Sequence, residues 1–273
     1  MSFGTVLGVR CEASVINPLD FPTLVLVLSF LLLWFAAWAG GKISQRRHDL
    51  SEEMRPDFGV ILAASLTLLG LIIGFSFSMA TARYDMRKTY EEAEANAIGT
   101  EYVRADLLGP AEASQVRGLL RQYTGLRIRA YTIHAYNTHY GDDLTRINRQ
   151  TAQIQNQLWV AASQPAIAQP TPVRALAVAG MNDVLNSQGY TQAAWWNRIP
   201  VGAWCLMFAI ALFCNVLLGY GAHKVDVRLF MVLPLVVAIS FFLIADIDSP
   251  RGGVIRVHPQ NLESLQAGFN APQ

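Results

Sequence analysis

The residues best placed to do chemistry are two carboxylates at the end of an apolar run. The stretch Ala245-Asp246-Ile247-Asp248-Ser249-Pro250-Arg251-Gly252-Gly253 carries them. At a helix C-terminus the macrodipole is already negative, so each acid there costs about 0.3–1 kcal/mol unless something offsets it. By the parity of the spans derived below, Arg83, Arg198 and Arg251 emerge on the same side of a membrane. An interfacial charge network of Arg83, Arg198, Asp246, Asp248 and Arg251 is therefore expected, and its functional form would be an ion-interacting vestibule. A second acidic stretch runs from Glu91-Glu92-Ala93-Glu94 to Glu101. Glu94, Ile98 and Tyr102 share one helix face with Glu101 at its edge. Arg87 and Lys88 stand four residues before Glu91 and Glu92, which predicts a solvated face held by i, i+4 pairs. A third group is Gly70, Gly74, Ser76 and Ser78, small residues in one apolar stretch. Such a helix lines a pore in an oligomer or packs closely on a neighbour.

Other chemistry is not written here. The five histidines, His48, His134, His139, His223 and His258, are scattered, and Cys11, Cys205 and Cys214 lack ligand spacing. No metal or cofactor is expected. The chain has no GxSxG, HExxH, P-loop or GxGxxG pattern, so it is read as a non-enzyme. Its arginines between 104 and 149 are interspersed with acids, which argues against a nucleic-acid partner.

The elements that must position these residues are membrane helices. Of 273 residues 52% are hydrophobic and 15% charged, against about a quarter charged in soluble domains. Charge-free runs of 21, 25, 24 and 17 residues lie between Asp20 and Lys42, Asp57 and Arg83, Arg198 and His223, and Arg228 and Asp246. A helix needs roughly 17–25 apolar residues to cross the hydrocarbon core, and only a helix satisfies its own backbone there. The fold class predicted is an all-α membrane protein with four transmembrane helices in two hairpins and an inserted extramembrane helical bundle. Its parts are an N-terminal tail (1–20), a first transmembrane hairpin (21–82), an extramembrane helical segment (83–198), a second hairpin (199–245) and a C-terminal tail (246–273). Trp34, Trp38, Trp195, Trp196 and Trp204 are expected as interfacial anchors. Ala37-Trp38-Ala39 has the small-x-small form of a cleavage site, but residues 1–20 carry Arg10 against Glu12 and Asp20, unlike a signal peptide's positive start. Asn215 is an amide deep in the third span, and Pro234 should kink or loosen the fourth.

Parity puts loops 42–57 and 223–228 on one side, and both tails with the long segment on the other. The short loops carry Lys42, Arg46, Arg47, Arg55, Lys224 and Arg228, whereas the tails carry Arg10, Arg251 and Arg256. Discounting the long segment, this favours cytoplasmic short loops.

Within 83–198, residues 83–109 should continue the second span until Gly109-Pro110 stops it. A second helix is expected over Ala111–Tyr140, with Val116, Leu119, Tyr123, Leu126, Ala130 and Ile133 on its apolar face. A third starts near Asp142 and Asp143, and Leu144, Ile147, Thr151, Ile154, Leu158 and Ala161 form an a/d seam. Gln164–Thr171, with two prolines, is expected as a loop. Thr171 then caps a fourth helix with Pro172 at its first position and an apolar face of Val173, Leu176, Gly180 and Val184.

The run from Glu94 to Leu108, EANAIGTEYVRADLL, resembles the bestrophin-like domain family of bacterial membrane proteins. Met181-Asn182-Asp183-Val184, Trp196-Asn197-Arg198-Ile199-Pro200 and the stretch from Asp246 to Val257 match it too. The likeness covers about residues 20–268 and makes Glu94, Asn96, Arg104 and Asp106 family-motif positions. It implies a distant relation to bestrophins, pentameric anion channels with four spans in two hairpins. That relation is architectural, and no bestrophin pore residue is carried over. Bestrophins hold their large helical segment in the cytosol, the side opposite to that favoured by the loop charges here. The resemblance implies a homo-oligomeric anion channel in a bacterial inner membrane, with the lipid bilayer and small anions as partners. The alternative is a non-conducting scaffold or sensor that binds a partner through the 144–161 seam.

Overall fold

The computed structural model describes residues 18–46, 55–221 and 227–270. The predicted positions Arg10, Cys11, Arg47, His48, His223 and Lys224 lie outside these described residues. After a 3₁₀ turn at Pro18–Asp20 come α1 (Pro22–Arg46), α2 (Arg55–Arg104), α3 (Pro110–Thr132), α4 (Tyr140–Ala168), α5 (Pro172–Trp196), α6 (Val201–Gly221), α7 (Val227–Asp248) and α8 (Gln260–Asn270). The chain forms two compact units. One combines Asn17–Tyr84 with Arg198–Arg256, and the other is built on Asp85–Asn197 and Val257–Gln273.

The first unit is the membrane unit. Among the described residues four helices are long and apolar enough to cross a bilayer, and they supply α1, the first part of α2, α6 and α7. Because such helices are apolar all round, their buried stripes are marked by spacing and not by polarity. α1 buries Val25, Ser29, Leu33, Ala36 and Ala37, and α6 buries Trp204, Met207, Ala211 and Cys214. Both sets repeat every three to four residues, so each is one helix face. α1 packs chiefly on α6 and α7. The α1–α6 crossing is close enough that backbones touch: a Cβ on Gly219 would sit 1.9 Å from the Ala37 carbonyl oxygen, and one on Gly40 2.1 Å from that of Val216. Gly70 and Gly74 take no part in such packing within the chain, for a Cβ on either would meet no other element within 4 Å. The hydroxyls of Ser65, Thr67 and Thr81 donate to the carbonyls four residues earlier, at 2.8, 2.9 and 3.0 Å. Asn215 likewise donates to Ala211 at 2.8 Å. The chain thus satisfies these polar donors locally, as an apolar medium demands. α7 runs on through Pro234 as one helix.

Two tryptophans are not interfacial anchors. Trp204 is buried between Phe208 and Phe241, with ring centroids 6.2 and 6.1 Å away. Trp195 is buried in the second unit, edge-on to Tyr131 at 4.9 Å. Trp34, Trp38 and Trp196 are exposed.

α2 has 50 residues. At 1.5 Å per residue such a helix is about 75 Å long, more than twice a hydrocarbon core of about 30 Å. Its later half belongs to the second unit and ends in a 3₁₀ turn at Ala105–Leu107. In that unit the sequence expectations need three corrections. The second helix stops at Thr132 rather than Tyr140, because Ile133 is extended (φ −65°, ψ 133°). The expected loop from Gln164 is helical as far as Ala168, with Pro165 inside α4. The Pro165 carbonyl, near the helix end, accepts from Gln169 N at 3.0 Å and from Arg174 Nη1 at 2.9 Å. The apolar face of α5 is rotated from the one expected: Ala177, Gly180, Met181 and Val184 are buried, whereas Val173 and Leu176 are exposed. Thr171 caps α5 as expected, accepting from Arg174 N at 3.2 Å.

The a/d seam of α4 is internal. Ile147, Leu158 and Ala161 belong to one core with Val116, Tyr123, Ala130, Ala177 and Met181. The scaffold alternative keeps only the half-buried Leu144 and Ile154 of that seam as surface.

Gly219→Val should force α1 and α6 apart. We expect a loss of about 1–3 kcal/mol from overpacking, read as a lowered thermal midpoint of the purified protein. Gly118→Ala, with nothing within 4 Å, should not lower it.

Candidate functional site

The inward face of α2 beyond the membrane part is acidic. Its buried stripe is Arg87, Glu91, Glu94, Ile98 and Glu101, continued by Ala105 of the 3₁₀ turn. They follow each other at alternating spacings of four and three, the stripe of a helix packed lengthwise against others. The expected solvated face is therefore overturned at Arg87, Glu91, Glu94 and Glu101, while Lys88 and Glu92 are exposed. Each glutamate meets a different environment within the second unit.

Glu94 is the centre of a buried network in which Arg127 Nη1 lacks a hydrogen-bond partner. Its carboxylate forms a buried salt bridge with Arg127 of α3, through Nε and, at 3.2 Å, through Nη2. Thr191 of α5 donates to it at 3.2 Å and the Tyr131 hydroxyl at 3.5 Å. The Arg127 guanidinium stands 5.8 Å from the Tyr131 ring centroid and 5.7 Å from that of Trp195, within cation–π range. Burial alone would lower the Arg127 pKa, but Glu94 more than offsets it and the guanidinium stays charged. Burial first, and Glu94 second, push the Tyr131 phenol upward, so it remains a donor. Arg127, Tyr131 and Thr191 were not singled out from the sequence. Their trace was Tyr123, Arg127 and Tyr131 at i, i+4 and i+8 on the apolar face of α3, a charge where a core residue was due.

Glu91 caps α8. Its Oε1 accepts from Asn261 N at 3.1 Å and Leu262 N at 3.0 Å, and its Oε2 from Asn261 Nδ2 at 2.6 Å. A carboxylate at a helix N-terminus satisfies orphan donors and complements the dipole. It fastens α8, whose Leu262 is fully buried and whose Phe269 stacks on Tyr102 at 4.2 Å. Of the family-motif positions, Glu94 is thus buried, Asn96 is exposed, and Asp106 pairs with Arg117 at 2.7 Å. Arg104 is half-buried, next to Glu101 and Gly180.

In the membrane unit the carboxylates that opened the sequence reading are buried as well. Asp246 accepts from the backbone N–H of Val254 at 2.7 Å and of Ile255 at 2.8 Å. Asp248 accepts from Ile199 N with both oxygens at 3.2 Å. Arg198 pairs with Asp20, and Ser249 donates to Asp20 at 3.3 Å. Arg251 is buried and Arg83 half-buried. Backbone N–H donation from the chain as it folds back is thus one offset to the unfavourable helix terminus, and Arg198 is directed to Asp20. That fold-back is tight: a Cβ on Gly252 would lie 1.9 Å from the Asp20 carbonyl oxygen. Of the pore or packing candidates, Ser76 is buried while Gly70, Gly74 and Ser78 are exposed.

Comparison with known proteins agrees with this architecture. The family described as Bestrophin-like domain matches residues 26–262. The chain belongs to the bestrophin-like domain family. Solved structures of a bacterial bestrophin homologue from Klebsiella pneumoniae share its fold. A single-substitution variant matches with TM-score 0.62 at 11% identity, over 89% of this chain and 97% of that one. A second variant gives 0.62 at 13%, over 90% and 97%. A form phased on zinc gives 0.59 at 12%, over 90% and 96%. No curated protein matches the chain. The bestrophin-like chain is thus an all-helical membrane protein, with four transmembrane helices in two sequence hairpins around an extramembrane helical segment.

Arg127→Met should cost about 3–5 kcal/mol, since it strands the Glu94 charge in the core. Adding Glu94→Gln removes that charge, so the double variant should be more stable than Arg127→Met alone. Denaturant unfolding of the purified proteins measures both.

Proposed function

We propose that this protein is the subunit of a homo-oligomeric, anion-conducting channel in a bacterial inner membrane. The observation that carries this reading is the membrane half of α2. Only 6% of its most apolar stretch is buried within the chain, against 33% for α1 and 44% for α7. A helix so little covered by its own chain is suited to line a pore or to meet neighbouring subunits. It offers Gly70, Gly74 and Ser78 beside Phe75 and Phe77, all exposed. Small residues permit close approach of helices. Between Asp57 and Asp85 it has no carboxylate, so a pore built from it lacks the acidic ring typical of cation channels. Family membership and the shared fold support the same function, although fold by itself does not decide it. The proposed orientation keeps loops 42–57 and 223–228 in the cytoplasm, as their lysines and arginines favour. Asp246, Asp248 and Arg251 then serve to shape the end of α7 beside Arg198 rather than to bind the permeant ion. The transport reading assigns no catalytic residue and no cofactor.

Purified oligomer in planar bilayers should pass an anion-selective current. Gly74→Leu should reduce that current without dissociating the oligomer, and Ser78→Glu should shift selectivity away from anions. A silent bilayer with a folded, intact oligomer would sink the proposal.

A further inference from the structure

Glu101 differs from the other two buried glutamates. It is fully buried, and neither carboxyl oxygen has a hydrogen-bond partner. Its Oε2 occupies the space left by the missing side chain of Gly180: a Cβ there would lie 2.1 Å from that oxygen and 2.6 Å from Arg104 Nη1. The charged groups that act on it are Arg104 from its own helix and Asp183 from α5. Around it lie Ile98 and Ala105 of the α2 stripe and Ala177, Met181 and Val184 of α5, all in one apolar core. An ionised carboxylate without donors is costly to keep in such a place, whereas the neutral acid loses far less.

We propose that Glu101 is a proton-binding switch at the contact of α2 with α5: the packed arrangement holds the neutral acid, and loss of its proton loosens α5 at Gly180. Burial pushes the carboxyl up to about 8 from 4.5, with Arg104 opposing the rise and Asp183 adding to it. The packed form therefore binds a proton that the opened form has released between these two pH values. Packing is then most favourable at low pH and weakens as pH rises, until the packed form too deprotonates near pH 8. One linked proton sets an upper slope of about tenfold in the opening equilibrium per pH unit.

The test is hydrogen exchange of the Ala177–Val184 amides of the full chain in lipid nanodiscs, corrected for the intrinsic pH dependence of exchange. Opening should increase between pH 6 and 8, approaching about tenfold per unit, and level off above. E101Q cannot ionise and should show no such increase. R104Q should move the levelling point to higher pH and D183N to lower pH, since they remove opposing influences. A carboxylic-acid C=O band in the infrared at pH 6 should be present in the wild type and missing from E101Q. A flat wild-type profile would overturn the switch. So would an E101Q profile that still rises, or an unchanged infrared band. Should E101Q fail to assemble, R104Q and D183N decide: shifts in the same direction, or none, overturn it.

Discussion

The helical unit depends on keeping two full charges out of water. Glu94 and Arg127 are both fully buried, and a buried pair of this kind is tolerable only when most of its remaining hydrogen-bonding capacity is used. That requirement recruits the surroundings. Thr191 must present its hydroxyl from α5, Tyr131 must lie one turn beyond Arg127 on α3, and Trp195 must offer a ring face to the guanidinium. Three helices are thereby fixed in rotation as well as in distance. Apolar contacts alone would permit neighbouring registers with similar buried area, whereas a charge displaced by one residue would lose its partner. The pair thus supplies register more than net stability, the use of buried polar groups with the best physical support.

The membrane unit solves a different problem. Hydrocarbon surrounds its helices, so burying apolar surface gives little drive for them to associate. Close backbone approach takes its place. Gly40 and Gly219 bring α1 and α6 together at distances that any side chain would prevent, and Gly252 does the same for the fold-back onto Asp20. The polar ends are then held by groups that cannot go elsewhere. Asp246 and Asp248 receive the N–H groups of Val254, Ile255 and Ile199, which gives two acids at a negative helix terminus a local reason to be there.

Legibility from sequence followed these two kinds of packing. The four spans were plain, because charge-free runs of the right length have one physical solution in lipid. The faces of α3 and α4 were plain too, since their stripes are apolar and their opposite sides polar. The cap of α5 was legible from Thr171-Pro172, and Gly180 and Val184 were placed on its buried face, but Val173 and Leu176 were put there ahead of the smaller Ala177. Gly70 and Gly74 face away from the chain's own helices, while the Gly40-Gly41 pair and Gly219, where α1 and α6 meet, stood unremarked in all-apolar runs. The acidic stripe of α2 was hidden for a third reason. Carboxylates on a helix ordinarily face water, and only the partner residues, one on α3, one on α5 and a third at the start of α8, show that these do not. Those partners are 33, 97 and 170 residues away, beyond the reach of any local pattern.

The stripe of α2 also bears on how one helix serves two media. Through the membrane half, its inward positions are Leu69, Ser76 and Ala80; beyond it they are Arg87, Glu91, Glu94 and Glu101. The period does not change, only the chemistry placed on it. Carboxylates within the span would meet hydrocarbon, where a charge is costly. Placed past the span, each can be neutralised in its own way: Glu94 by an arginine, Glu91 by a helix N-terminus, Glu101 by a proton. These three solutions differ in how readily they can be undone. The Arg–Glu pair is held by side chains from three helices, and the capping carboxylate holds as long as α8 is docked. The proton is the most exchangeable of the three, so a helix shared by both units has its most responsive group at Glu101, near its far end.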